Sequence, residues 1–530
     1  MAGARSRGDG SSTSAPALPR RAELLAALSL AIDLGLGQPM EHMLRSCILG
    51  RRLGKELGLE PEVQDRVFYS TLLAWIGCHA DSFELAAVFG DDIDFRAATY
   101  AIDMRGVSLA TMLLSRVGST SPVTVRAARA VGFLAAGRRV LTELMSSHCI
   151  SAGALARQAG LDERTCQVLR YSFERWDGGG LPNGVAGDEL PLEMRIGQLT
   201  DTVEVHLRQK GEAAAVDMVR RRRGTHFDPE LADFFCDHAG ELLDGVLQED
   251  AWASALGSAP GDRVRGPQEL DSMLTALGDF VDLKSPYTAG HSRAVATLAE
   301  EAGRTSGLGD DGSTQLRRAG LVHDLGRMGV SNAVWDKTSP LSTSELERVR
   351  MHPYLTERIL SRVDALVPVA RLAGAHHERV DGSGYPSGAD AQALTAAQRI
   401  LAAADSYCTW TEPRPHRPRM PRDEAAARLR REVTAFRLDH DAVDAVLRAA
   451  GHEPRRRREG PGGLTARELE VLQLVIRGLS SRQVAEELVI SEKTARHHIE
   501  HIYTKLGVSN RISATLFALQ HGIVGDPDLR

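Results

Sequence analysis

At 530 residues the chain is too long for one hydrophobic core, so two to four domains are expected, and its 43% hydrophobic and 25% charged composition is that of an ordinary globular protein. The net charge of −6 is uneven: from Arg455 onward 12 Lys/Arg meet 9 Asp/Glu, a balance of +3 that leaves −9 on the remainder, so only the C-terminal end suits a polyanion. Six scattered cysteines without a CxxC pair argue against a disulfide framework or a cysteine-rich zinc site and fit a reducing compartment.

The start, Met1 to Arg21, is rich in Ala, Gly and Ser without an apolar core, so residues 1–20 are expected to be a disordered tail rather than a signal peptide. No apolar run approaches a bilayer span, and the expected setting is cytoplasmic with no membrane partner. Helical periodicity dominates and β-type alternation is scarce, which predicts an all-α fold. Gly257–Pro267 and the Gly- and Arg-rich His452–Gly463 break the pattern as linkers. The expected units are 21–256, a linker at 257–268, 269–452, a basic linker at 453–463 and a terminal module at 464–530.

The two large units are copies of one another. FERWDGGGLPNG (Phe173–Gly184) is echoed by HERVDGSGYPSG (His377–Gly388) at an offset of 204, which also relates His148 to His352 and Asp201 to Asp405. An offset of 249 relates His42 to His291 and Ala74-Trp75 to His323-Asp324, so the first copy carries about 45 extra residues within Cys78–Ser147.

The second copy contains His291, His323, Asp324, His352, His376, His377 and Asp405. His291 lies on an apolar stripe with Val295, Leu298 and Ala302, and His352 on one with Leu355 and Ile359, where a buried imidazole needs a partner for each nitrogen. A set of imidazole and carboxylate without thiolate suits Fe, Mn or Zn, and six or seven ligands exceed one tetrahedral ion, so two divalent metals are expected, Fe or Mn favoured. Such a pair points to metal-assisted phosphodiester hydrolysis.

The stretches HSRAVA, LVHDLGRMGV, MHP, HHERVDGSGYPSG and AAAD, ending at Asp405, resemble the HD-GYP domain over roughly 269–452. The resemblance implies a helical bundle that hydrolyses cyclic di-GMP or a related nucleotide. By position it makes those seven residues the metal ligands, places Asp324 and Arg327 at the catalytic position, and puts Gly384, Tyr385 and Pro386 beside the substrate. Arg327 stands where the family usually has lysine, Tyr287 where some members carry a third-metal glutamate, and His416 where tyrosine is usual. The first copy keeps only His42, His148 and Asp201; Trp75 and Phe173 put rings where metal should sit, so dimerisation, stability, sensing or plain scaffolding is its expected role.

The end of the chain predicts four short helices. Thr465 with Glu468 forms a capping box, Ser480 with Gln483 caps Arg482–Leu488, Ser491 caps a third helix burying Ala495, Ile499, Ile502 and Leu506, and Arg511–Gly522 is the fourth. Two helices across a tight turn, the second basic outside, suit a major groove. The segment from LTARELEVL to KLGVSNR resembles the LuxR-type helix-turn-helix. The resemblance implies a homodimer in which Lys493, Thr494, Arg496 and His497 face the groove while Ser481, Arg482 and Lys505 reach phosphates. The expected whole is a DNA-binding regulator that hydrolyses or senses a cyclic nucleotide; the alternative is a non-catalytic transcription factor using both copies for dimerisation or ligand sensing.

Overall fold

A computed structural model describes residues 18–103, 105–118, 123–453, 461–488, 490–521 and 523. The expected tail lies outside these residues up to position 17, as do 454–460 of the basic linker. Every regular element described is helical, with only isolated β-bridges besides, in agreement with the all-α expectation. No single helix among the described residues is long and apolar enough to cross a membrane.

Helix starts follow local chemistry. Thr395 with Gln398, Ser342 with Glu345 and Thr465 with Glu468 each form a reciprocal capping box. The duplication is visible in the same details. Asp282 accepts the backbone N–H of Ser292 at 3.0 Å, and Asp33, 249 residues earlier, accepts that of Met43 at 3.1 Å. These two carboxylates open the helices His291–Thr305 and His42–Glu56.

The copies are not separate bodies. Leu24, Leu28 and Phe68 of the first share one core with Leu274, Phe280 and Met328 of the second. The stretch expected to be a linker between them is a pinned strap. Val264 is buried in that core and donates to Pro19 O at 3.1 Å, while Asp262 pairs with Arg21 at 2.8 Å. The extra residues of the first copy form their own small cluster of Leu85, Phe89, Phe95, Leu113 and Leu144. The C-terminal module has another, built on Leu472, Val484, Ala495 and Ile502.

One carboxylate of the extra segment crosses into the second copy. Asp92, fully buried, bonds Arg96 at 3.0 Å and Lys284 Nζ at 3.3 Å, and accepts from Ser331 Oγ at 2.7 Å and Asn332 N at 2.8 Å. Burial opposes its charge, yet Lys284 and Arg96 hold it well below the usual carboxylate range. Asp92→Ala strands a buried ammonium and is expected to cost ~3–5 kcal/mol of stability, measured by denaturant unfolding. A loss within ordinary surface-mutation scatter contradicts this.

Candidate metal centre and DNA-binding surface

Five imidazoles and two carboxylates of the second copy meet in one buried place. His323 follows the helix Gly309–Val322, His352 begins His352–Leu360 just past Thr343–Arg350, and His376 follows Val367–Ala373. Each gives its Nδ1–H to a carbonyl three residues back: Gly320 at 2.8 Å, Val349 at 2.6 Å and Ala373 at 2.6 Å. Those bonds fix the tautomer, so every Nε2 of the three carries a lone pair pointing inward. His291 is oriented similarly by Glu412, 2.9 Å from its Nδ1.

The inward atoms form two groups, His291 with His323 and Asp324, and His352 with His376 and His377; within each, ligand atoms lie within 4.8 Å of one another. Asp324 spans both. Its Oδ2 lies 3.8 Å from His291 and 3.6 Å from His323, its Oδ1 3.4 Å from His352 and 3.7 Å from His376. Asp405 sits 3.4 Å from His291 and 3.9 Å from His377.

The residues fit a cation. His323 Nε2 is buried without a partner, and the lone-pair nitrogens of His352 and His376 face each other at 3.0 Å, an arrangement that calls for positive charge beside it. Burial favours neutral acids, yet His323, Arg327, His352 and His376 hold Asp324 well below the usual range, and His291 and His377 do the same for Asp405. Burial likewise pushes His352 down to about 4 and His376 to about 3, which keeps them neutral as ligands must be. Burial also works against charge on His291, but Asp405 and Glu412 push it up to about 10, showing how strongly the carboxylates draw positive charge here.

The rim is built by close packing. A Cβ at Gly384 would meet Arg379 N at 2.4 Å, so only glycine lets the loop fold onto the chain before it. Glu378, buried beneath, accepts from Ser387 N at 2.7 Å and Ala389 N at 2.9 Å and holds the loop shut. Tyr385 lies against His377 with ring centres 4.8 Å apart. Arg327 pairs with Asp324 at 3.1 Å and lies over Trp335 at 3.9 Å. Glu378 and Glu412 were not singled out from sequence; the repeat of Glu174 at Glu378 was the available signal for the first.

Comparison with known proteins decides the family. The HD-domain profile matches residues 107–231 and 275–442. The 3'3'-cGAMP-specific phosphodiesterase 3 of Vibrio cholerae is 32% identical over 434 residues, 81% of this chain and 93% of that protein. The chain belongs to the HD-GYP phosphohydrolase family. A crystal structure of a cyclic GMP-AMP specific phosphodiesterase from V. cholerae superposes with a TM-score of 0.57 at 28% identity, covering 83% of this chain and 99% of that one. A cyclic di-GMP phosphodiesterase of Thermotoga maritima is 31% identical over 182 residues, 34% of this chain and 48% of that protein. The profile of bacterial regulatory proteins of the luxR family matches 463–518, so the HD-GYP copies are joined to a LuxR-type domain.

In the degenerate HD-GYP copy the ligand geometry has been rebuilt. His42 is bound by Asp201 at 2.8 Å and Glu204 at 2.5 Å, and Tyr100 from the extra segment donates to Asp201 at 3.1 Å. His148 points Nε2 at Ala74 O, 3.2 Å away, and packs against Phe173 with ring centres 4.6 Å apart. Trp75 packs edge-on against Phe173, ring centres 5.3 Å apart.

The LuxR-type domain has the four expected helices: Ala466–Ile476, Ser481–Leu488, Glu492–Leu506 and Arg511–Gln520. The expected end at Gly522 and the turn residue Val489 lie outside the described residues. Ala495 and Ile502 are buried as expected, Ile499 and Leu506 partly, and His498 joins them. Lys493, Arg496 and His497 are exposed, Thr494 is half-buried, and Arg482 pairs outward with Glu486 at 3.1 Å beside a half-buried Ser481. Lys505 is different: its ammonium is held by Glu468 at 2.8 Å, and His501 grips the same carboxylate at 3.0 Å. Burial alone would raise Glu468, but His501, Lys505 and the Thr465 N–H hold it far below its ordinary value. A folded value below the unfolded one stabilises the domain above pH about 4.5 and fades as pH falls. Thermal unfolding of Glu468→Gln against the parent is expected to show the largest gap at neutral pH, closing below pH about 4; a constant gap contradicts the ion pair.

Proposed function

We propose that the second copy is a metal-dependent phosphodiesterase acting on a 3'3'-linked cyclic dinucleotide, in a chain that binds DNA as a transcriptional regulator. The observation that carries the enzymatic part is the convergence of inward Nε2 lone pairs on Asp324 and Asp405, with His323 Nε2 lacking any protein partner. Two groups of donors bridged by one carboxylate favour two divalent ions, held by His291, His323, Asp324 and Asp405 on one side and His352, His376 and His377 on the other. Oxygen and nitrogen donors without sulfur favour Fe or Mn. Such a pair, when bound, supplies Lewis acidity and charge neutralisation to a phosphodiester.

The chain's own groups do the rest. Arg327, held over the Trp335 ring, offers a guanidinium beside Asp324 for a phosphate oxygen, and bidentate contact suits that task. Tyr385, at the edge of the ligand cluster, presents a ring against which a base can stack, with Gly384 and Pro386 shaping the loop. The substrate class rests on the named activities of the relatives, which act on 3'3'-cGAMP or cyclic di-GMP.

For DNA, Lys493, Thr494, Arg496 and His497 would enter the major groove, with Ser481 and Arg482 reaching phosphates. Ile512, Leu516 and Leu519, 82%, 56% and 59% exposed along one helix, would form the dimer contact. In this structure the groove-facing residues, exposed but for the half-buried Thr494, face the second copy across a cleft. Lys493, Thr494, Arg496 and His497 share a cleft with Val380, Asp381, Asp390 and Phe436 of the second copy, and Phe436 meets the buried His498 at 3.9 Å. DNA binding therefore requires the domain to leave this position.

Purified protein is expected to carry about two Fe or Mn per chain, to lose metal in His323→Ala, and to hydrolyse 3'3'-cGAMP or cyclic di-GMP at least ~100-fold faster than Asp324→Ala. Metal-free protein after anaerobic purification, or equal turnover by Asp324→Ala, defeats the proposal. Arg496→Ala should cost ~1–3 kcal/mol in specific DNA binding. Reversing the cleft with Asp381→Lys and Asp390→Lys should tighten DNA binding by weakening the docked position, read by fluorescence anisotropy at fixed salt; weaker or unchanged binding means the docked position does not limit access.

A further inference from the structure

The first copy holds a partly open cavity of about 220 Å³ at the position where the second copy gathers its candidate metal-binding side chains. Trp75 and Phe173, which occupy the ligand positions equivalent to Asp324 and His377, form its floor. Its roof comes from the extra segment found only in this copy: Phe95, Tyr100, Leu109, Leu113, Leu141 and Met145. Residues inserted into the first copy thus do specific work, covering a former metal site with apolar surface.

The cavity's polar groups are sorted by chemistry. Its two central carboxylates are engaged: Asp201 Oδ1 meets both His42 and Tyr100, and Glu174 accepts the backbone N–H groups of Asn183 at 2.8 Å and Val185 at 3.1 Å. Its donors are not. Trp75 Nε1 and Arg175 Nη2 are buried without any partner, and neither nitrogen can accept a hydrogen bond. Arg175 is 5% exposed; its other nitrogens reach Asp103 at 3.3 Å and Asp177 at 3.4 Å, both long contacts. A second guanidinium, Arg222, lines the same end and gives one hydrogen to Ile102 O at 2.7 Å. Spare donors on a buried cation call for an anionic acceptor.

We propose that the first copy is a binding site for a small apolar monocarboxylic acid, its body between the inserted roof and the Trp75–Phe173 floor and its carboxylate on Arg175. The volume sets the size. A cavity of roughly 150 Å³ holds benzene, so one of about 220 Å³ takes a body of about nine carbons. A carboxylate rather than a phosphate fits, because one spare guanidinium nitrogen sits among predominantly apolar walls where a dianion would be costly to desolvate.

Decanoate and 2-naphthoate are the probes, titrated calorimetrically into the full-length protein, with decanol and 2-naphthalenemethanol as neutral counterparts. At least one acid is expected to bind at one site per chain and at least tenfold more tightly than its alcohol. Arg175→Met should weaken the acid about ten- to hundredfold and leave the alcohol unchanged. Because Arg175→Met also loosens Asp103, Leu113→Trp serves as the second variant: it fills the cavity, should abolish binding of acid and alcohol alike, and should keep a cooperative thermal transition. Failure of both acids to give a saturable heat, equal affinity for acid and alcohol, or binding that survives Leu113→Trp each overturns the proposal.

Discussion

The hydrogen bond from an imidazole Nδ1 to the carbonyl three residues before it is the constraint on which the second copy's chemistry depends. A helix leaves its last four carbonyls without intrahelical partners. His323, His352 and His376 each stand just beyond such an end and use one of those carbonyls. The bond removes an orphan acceptor, pins the ring, and forces the proton onto Nδ1 so that Nε2 is free. Three helix ends converge because helix breaks, not helix faces, are directed at one point. The site is thus a property of where helices stop.

The first copy shows what happens when a stop is lost. His148, equivalent to His352, lies inside the continuous helix Val123–Gln158 and has no helix end to bind. Its Nε2 turns to Ala74 O instead, leaving Nδ1 buried without a partner. His42 keeps its place but is clamped by two carboxylates, Asp201 and Glu204, that pair with it directly. Burial opposes charge on His42, yet those carboxylates push it up to about 10. A positive imidazolium here does electrostatically what a bound cation would do next door. The same extra segment that lengthened the helix also sends Asp92 across to Lys284, Ser331 and Asn332, so the copy that lost the metal-binding geometry became a structural part of the one that kept it.

Much of this was legible in the residues because the ligands are chemically conspicuous. The seven positions, the duplication and the four terminal helices with their caps could all be read from residue type and spacing. Glu412 could not: it reaches His291 from just past the end of Ala396–Thr411, and neither periodicity nor a common motif marks that contact. Glycine and proline at 257–267 signalled a break in helix, and the structure adds that a non-helical stretch with one buried valine can be as fixed as a helix. Lys505 is a phosphate contact only by the LuxR-type resemblance; its partner Glu468 lies 37 residues earlier and becomes its neighbour through packing, which spacing alone does not show. Charge patterns predict faces well and pairings poorly.

The placement of the C-terminal domain links its two chemistries without any need for a shared ligand. The cleft bordered by the exposed Lys493, Arg496 and His497 is lined on its other side by Asp381 and Asp390, which bracket the loop carrying Gly384, Tyr385 and Pro386. Isolated β-bridge pairing of Asp381 with Asp390 closes that loop at its base. A molecule seated against Tyr385 and one seated on the recognition helix would therefore compete for, or cooperate through, the position of one short segment. Such coupling is reciprocal: whatever free energy the loop's occupant adds to undocking, DNA must return as altered affinity for that occupant. A two-state docking equilibrium of this kind would need no path through the helical core, because the base of the loop and the recognition helix line one cleft.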